Sequence, residues 1–134
     1  MINFNGNLLE NSNVITTSNR SFLYGDGVFE TLKIVNGKIL FLEEHYFRLM
    51  ASMRIIRMQI PMSFTLEYIE EQIMLVVNAN EIQESARVRL VVYRNDGGFY
   101  MPEAYSVSFI IKAFPLENKK YLEKNNQYEV ELYK

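Results

Sequence analysis

A chain of 134 residues, 49% hydrophobic and 22% charged, has the size and composition of one globular domain able to bury roughly two thirds of its unfolded surface. Its net charge of −2, with scattered lysines and arginines, argues against a nucleic-acid surface, which carries a basic patch. The lack of cysteine excludes a disulfide frame, a thiolate nucleophile and a zinc–cysteine site, and no apolar run reaches the roughly 20 residues of a membrane helix.

Residues 2–4 and 7–9 flank Asn5-Gly6, a pair suited to the positive backbone angles of a two-residue turn, so a short N-terminal hairpin is predicted. Nothing in Met1 to Gly6 has the basic-then-apolar layout of a secretory signal, and a cytoplasmic location is expected. The polar stretch 11–20 reads as loop. Residues 28–35 predict a strand, with Val28, Glu30, Leu32 and Ile34 alternating against Phe29, Thr31, Lys33 and Val35. Residues 38–42 return across the second turn, Asn36-Gly37.

A helix is expected from Glu43, because Leu42, Tyr46, Leu49, Met50, Met53 and Ile56 recur at three- and four-residue steps. Glu43 and Glu44 suit its positive end, Arg54 and Arg57 its negative end, and Pro61 stops the run. Ser63 is the predicted cap of a second helix over 65–78, with Leu66, Ile69, Ile73, Val76 and Val77 inward. Residues 87–93 form the next predicted strand, with Val88, Leu90 and Val92 on one face. Asn95-Asp96-Gly97-Gly98 breaks it, and residues 105–113 follow as another strand. Residues 115–126 read as a linker or short exposed helix. Residues 128–133 alternate again as a strand without a later partner, which is expected to open a second domain.

Several side chains invite a chemical reading. Arg48 follows the first turn of its helix, and an arginine there offers a rigid fork of donors for a phosphate. The plainer alternative pairs it with Glu44 or Glu30 as an ordinary ion pair. His45, the lone histidine, is a proton carrier or a prop for Arg48 or a nearby carbonyl. Gly25-Asp26-Gly27 precedes a strand and not a helix, so it fails the context of a dinucleotide or phosphate loop. Its glycines serve a tight turn or let a ligand approach the backbone. Tyr24 and Phe29 flank that turn, either walling a flat ligand or packing in the core. Arg94, at the end of a strand, grips a substrate carboxylate or is a solvated turn arginine, with Tyr100 in the same loop. Lys33 and Lys134 are the lysines weighed as covalent nucleophiles. No compact ligand cluster points to a metal.

Together, Arg20, Tyr24-Gly25-Asp26-Gly27-Val28-Phe29-Glu30-Thr31, Glu44-His45, Arg48-Leu49 and Ser52 resemble the N-terminal part of the class IV aminotransferases. This is the pyridoxal-phosphate fold-type IV family of branched-chain and D-amino-acid aminotransferases and aminodeoxychorismate lyases. The resemblance runs from about Asn3 to Lys134. It implies an α+β fold of two layers, a mostly antiparallel sheet with two helices packed on it. It implies pyridoxal 5′-phosphate as cofactor, with Arg48 on its phosphate. It also implies Phe29 on the substrate side, Arg94 and its loop in substrate selection, and a homodimer acting on an amino acid and a keto acid.

The same resemblance implies an N-terminal domain over 1–116, then an interdomain linker and the first strand of a C-terminal domain over 117–134. The family's Schiff-base lysine is expected beyond Lys134, so no catalytic residue is assigned within the chain, and the chain alone is expected to be inactive. Residues 95–100 lack the second arginine and the histidine of the D-amino-acid enzymes, which argues against D-specificity. The expected activity of the parent protein is transamination of branched-chain-type amino acids. Its rivals are aminodeoxychorismate lyase chemistry and a non-catalytic, partner-binding α/β module.

Overall fold

The computed structural model describes residues 1–10, 13–98, 101 and 105–116. Both Asn-Gly pairs adopt positive φ at each residue, 52° and 91° at Asn5 and Gly6, 49° and 80° at Asn36 and Gly37. Those angles close the two tight hairpins. The first joins β1 (Ile2–Phe4) to β2 (Asn7–Leu9). The second joins β3 (Gly27–Val35) to β4 (Lys38–Ile39). The return strand is shorter than the 38–42 expected. Phe41 turns into the left-handed region at φ 55°, and Leu42 is already helical.

Three further elements follow the predicted periodicity. Helix α2 (Leu42–Ile55) buries Leu49, Met50 and Met53, and α3 (Leu66–Ala79) buries Ile69, Ile73, Val76 and Val77. The cap of α3 is Thr65 and not Ser63: Thr65 Oγ1 accepts from Tyr68 N at 3.1 Å. A capping oxygen must stand directly before the first helical residue, and Ser63 lies in the turn that Phe64 N closes on Pro61 O. Strand β5 (Ser85–Arg94) puts Val88, Leu90 and Val92 in the core. Beginning at the last residue of the 11–20 stretch expected to be loop, α1 (Arg20–Tyr24) forms, capped by the Asn19 side chain on Ser21 N and Phe22 N. Strand β6 (Val107–Pro115) starts later than predicted and runs through Pro115. The expected strand at 128–133 lies outside the described residues.

Both long helices end in the same backbone motif. At α2, Met58 N bonds Met53 O and Arg57 N bonds Arg54 O; at α3, Ile82 N bonds Val77 O and Glu81 N bonds Asn78 O. Arg57 and Glu81 therefore sit where glycine is usual, at φ 60° and 56°.

The six strands form one antiparallel sheet in the order β2-β1-β6-β5-β3-β4. Helices α2 and α3 cover one face, and the core lies between: Leu32 and Ile34 of β3, Leu90 of β5 and Ile111 of β6 against Met53, Ile73 and Val76. A buried polar contact joins sheet to helix, with Asn3 Nδ2 donating to Gln72 O and Oε1 at 3.0 and 2.8 Å. The other face carries Phe29, Thr31 and Lys33 beside Arg87, Arg89 and Val91, in register. Because β4 pairs only with Ile34 and Val35, the outer edge of β3 from Gly27 to Leu32 has no strand partner among the described residues. No helix among them is long and apolar enough to cross a membrane.

Candidate anion site at the edge of β3

Glu30 is the pivot of the site. It lies on the helix-facing side of β3, and its side chain is only 6% exposed. A carboxylate there needs partners, since an unpaired buried charge is strongly unfavourable. Helix α2 supplies them from one face, because His45 and Arg48 are three residues apart. Arg48 Nε lies 3.0 Å from Oε2 and Nη2 lies 2.7 Å from Oε1. His45 Nδ1 is 2.7 Å from Oε1, so this nitrogen donates, and it sits 3.2 Å from Arg48 Nη2. Burial alone would raise the Glu30 carboxyl; the hydrogen bonds and charges of Arg48 and His45 outweigh it and leave it below its ordinary value. The same carboxylate raises the Arg48 guanidinium above its own.

Arg48 is thus an ion-pair arginine and an available cation at once. Its Nε–Nη2 edge is held by Glu30, and Nη1 has no hydrogen-bond partner among the described residues. The side chain is 65% exposed. Of the two acids weighed from sequence, the fold selects Glu30 over Glu44, because β3 passes beneath α2. A guanidinium fixed along one edge and open at its end suits an oxyanion such as a phosphate.

Phe29 points to the opposite face of β3. It is 56% exposed, with the Arg89 guanidinium 4.0 Å above its ring. Phe29 and Arg48 therefore flank the unpaired strand edge from opposite sides.

The glycine turn builds a second cluster. Gly25 ends α1 at φ 66°. At Gly27 a Cβ would stand 2.6 Å from Ser21 Oγ and 3.2 Å from Val92 O, so glycine here allows the chain itself to approach. Between them, Asp26 Oδ2 accepts from Arg20 Nε and Arg94 Nε, both at 2.8 Å. Arg20 also donates to Gly97 O at 3.1 Å. Arg94 donates to the carbonyls of Ile56 and Arg57, at the negative end of α2.

A cleft of about 480 Å³ opens against this cluster, lined by Arg20, Tyr24, Asp26, Arg57, Arg94 and Tyr105 among others. Tyr24, with the Arg20 guanidinium 4.8 Å from its ring centroid, therefore meets Arg94 here, while Arg48 and Phe29 are not among the lining residues. Arg94 is not the solvated turn arginine of the plainer expectation: its side chain is 4% exposed. A grip on a substrate carboxylate would have to draw on a guanidinium already committed to Asp26 and two carbonyls. From sequence Asp26 was visible only as part of the glycine turn, and its pairing was not; the hint was an acid six residues after an arginine. Lys33 lies on the open sheet face across from Arg87. Tyr100 and Lys134 lie outside the described residues.

Comparison with known proteins gives this geometry a family. The chain is 33% identical over 99 residues to a D-alanine aminotransferase from Bacillus licheniformis, a match covering 73% of this chain and 30% of that protein. It is similar to the branched-chain aminotransferase from Thermoproteus uzoniensis solved with norvaline, at 28% identity and a TM-score of 0.74, over 87% of this chain and 40% of that one. It is also similar to a T.th. branched-chain amino acid aminotransferase complexed with N-(5′-phosphopyridoxyl)-L-glutamate, at 25% identity and a TM-score of 0.74, over 86% and 40%. The chain thus spans about a third of the length of the curated relatives it matches. The family model for class IV amino-transferases matches residues 27–133, and the chain belongs to that family.

Proposed function

We propose that this chain is the N-terminal part of a pyridoxal-phosphate-dependent aminotransferase acting on branched-chain-type amino acids, and that Arg48 holds the cofactor phosphate. The observation that carries the reading is the free Nη1 end of a guanidinium locked by Glu30. When bound, the cofactor acts as the electron sink that eases loss of the substrate Cα proton. The chain's own residues bind and orient. Arg48 anchors the phosphate without touching the reacting bond. Phe29 walls the substrate side across the strand edge. Tyr24 and Arg94, which line the cleft at the glycine turn, shape the substrate end of the site.

In this reading residues 1–116 are the α+β unit, and 117–134 are the linker and first strand of a second domain. The protein is a cytoplasmic homodimer that takes an amino acid and a keto acid in turn. Pyridoxal 5′-phosphate and pyridoxal differ only in the phosphate, so titrating both against the chain and its Arg48→Gln variant tests the anchor. The chain is expected to prefer the phosphorylated form and the variant to lose that preference. An unchanged preference in the variant would remove the basis of the reading.

A further inference from the structure

The free end of Arg48 has a direction only because its other edge is occupied. An exposed arginine has several rotatable bonds, and ordering it carries a large entropic penalty. Here Glu30 takes both Nε and Nη2, which fixes the plane of the guanidinium as well as its place. Glu30 is itself held: Oε1 also accepts from His45 Nδ1 at 2.7 Å, and the side chain is 6% exposed. The support thus runs from a buried strand position, through a carboxylate with a second donor, to a cation in water.

We propose that Glu30, braced by His45, is a positioning residue for an oxyanion at Arg48. This rests on the reading of Arg48 as the phosphate anchor. Two effects of Glu30 oppose each other. Its negative charge repels an arriving phosphate, and its hydrogen bonds orient the guanidinium that receives it. The phosphate would meet the solvent-facing end of Arg48, whose side chain is 65% exposed, so water and salt weaken the repulsion there. The orientation comes from the buried side and is not weakened in that way. Positioning therefore outweighs repulsion, and removing the Glu30 charge weakens phosphate binding although the site becomes more positive.

The test titrates inorganic phosphate into the 134-residue chain at constant ionic strength, following the Arg48 Nε–H resonance in wild type and in Glu30→Gln. Arg48→Gln and Arg48→Lys are followed through backbone amides of α2. Arg48→Gln is expected to abolish the phosphate-dependent shifts. Glu30→Gln is expected to weaken binding about tenfold, the weight of one charge-assisted hydrogen bond, and to speed exchange of the Arg48 Nε proton. Arg48→Lys keeps the charge but not the two-point tether, and it is expected to bind as weakly as Glu30→Gln. This exposed position carries the test if Glu30→Gln does not fold. Wild-type affinity in Glu30→Gln or Arg48→Lys, with binding lost in Arg48→Gln, would overturn the positioning role and leave the phosphate anchor standing. Binding retained in Arg48→Gln would remove the anchor and this inference with it.

Discussion

Asp26 and Arg94, 68 residues apart in sequence, meet at 2.8 Å, and Arg20 reaches the same carboxylate oxygen at the same distance. One acid thereby serves two arginines whose side chains are each 4% exposed. Asp26→Asn leaves both guanidiniums buried without their charged partner. The expected loss of folding stability is about 3 kcal/mol, measured by guanidinium denaturation. A loss under about 1 kcal/mol would mean that carbonyls and water suffice for the two arginines.

The two glycines of the turn should respond differently to alanine. At Gly25 a Cβ meets nothing within 4 Å, so the penalty is that of the left-handed backbone, about 1 kcal/mol. At Gly27 the Cβ meets Ser21 Oγ and the Val92 carbonyl, and overpacking of about 2–3 kcal/mol is expected. Adding Ser21→Gly should recover part of the Gly27→Ala loss but not the share due to Val92 O. Equal melting temperatures for the two alanine variants would contradict this account.

Glu81→Gly should stabilise the protein. Glu81 holds φ 56° in the motif that ends α3, a conformation glycine adopts without Cβ strain. The gain is offset by the extra freedom of glycine in the unfolded chain, leaving about 0.5 kcal/mol. Thermal unfolding should show a small upward shift, and a downward shift would mean that strain at this position is negligible.

Acid should weaken the Glu30 contact before it affects the apolar core. The folded carboxyl titrates below its ordinary value of 4.5, so around that pH the folded state binds fewer protons than the unfolded one. The Glu30 contribution is complete above that value and drains away as pH falls through the lowered one. Urea midpoints for wild type and Glu30→Gln should differ at neutral pH and converge in acid. A gap that stays constant with pH would show that Glu30 stabilises by packing and not by charge.

Much of the fold was legible because it depends on local rules. Asn5-Gly6 and Asn36-Gly37 have turn chemistry with one dominant solution, and the periodicity of α2, α3 and β5 named their buried faces. The misreadings fall where a residue acts against its type. Nothing about Phe41 announces a left-handed angle, yet that angle ends β4 early. Nor does Arg20-Ser21-Phe22-Leu23-Tyr24 announce a five-residue helix. Of the site, Arg48 and its candidate partner Glu30 were visible, but the choice between Glu30 and Glu44 needed the path of β3 under α2. The Asp26 cluster was hidden for the same reason: Arg94 arrives through the pairing of Gly27 with Tyr93, a long-range register that no spacing encodes.

The two acids of this segment grip opposite ends of one helix. Glu30 takes His45 and Arg48 near the start of α2, while Asp26 holds the Arg94 that ties down the carbonyls of Ile56 and Arg57 just past its end. Contacts at both ends define how the helix is turned and where it sits along the strand below. The solvent-facing fork of Arg48 is therefore placed by the covalent spacing of a single strand, which sets Glu30 four residues from Asp26.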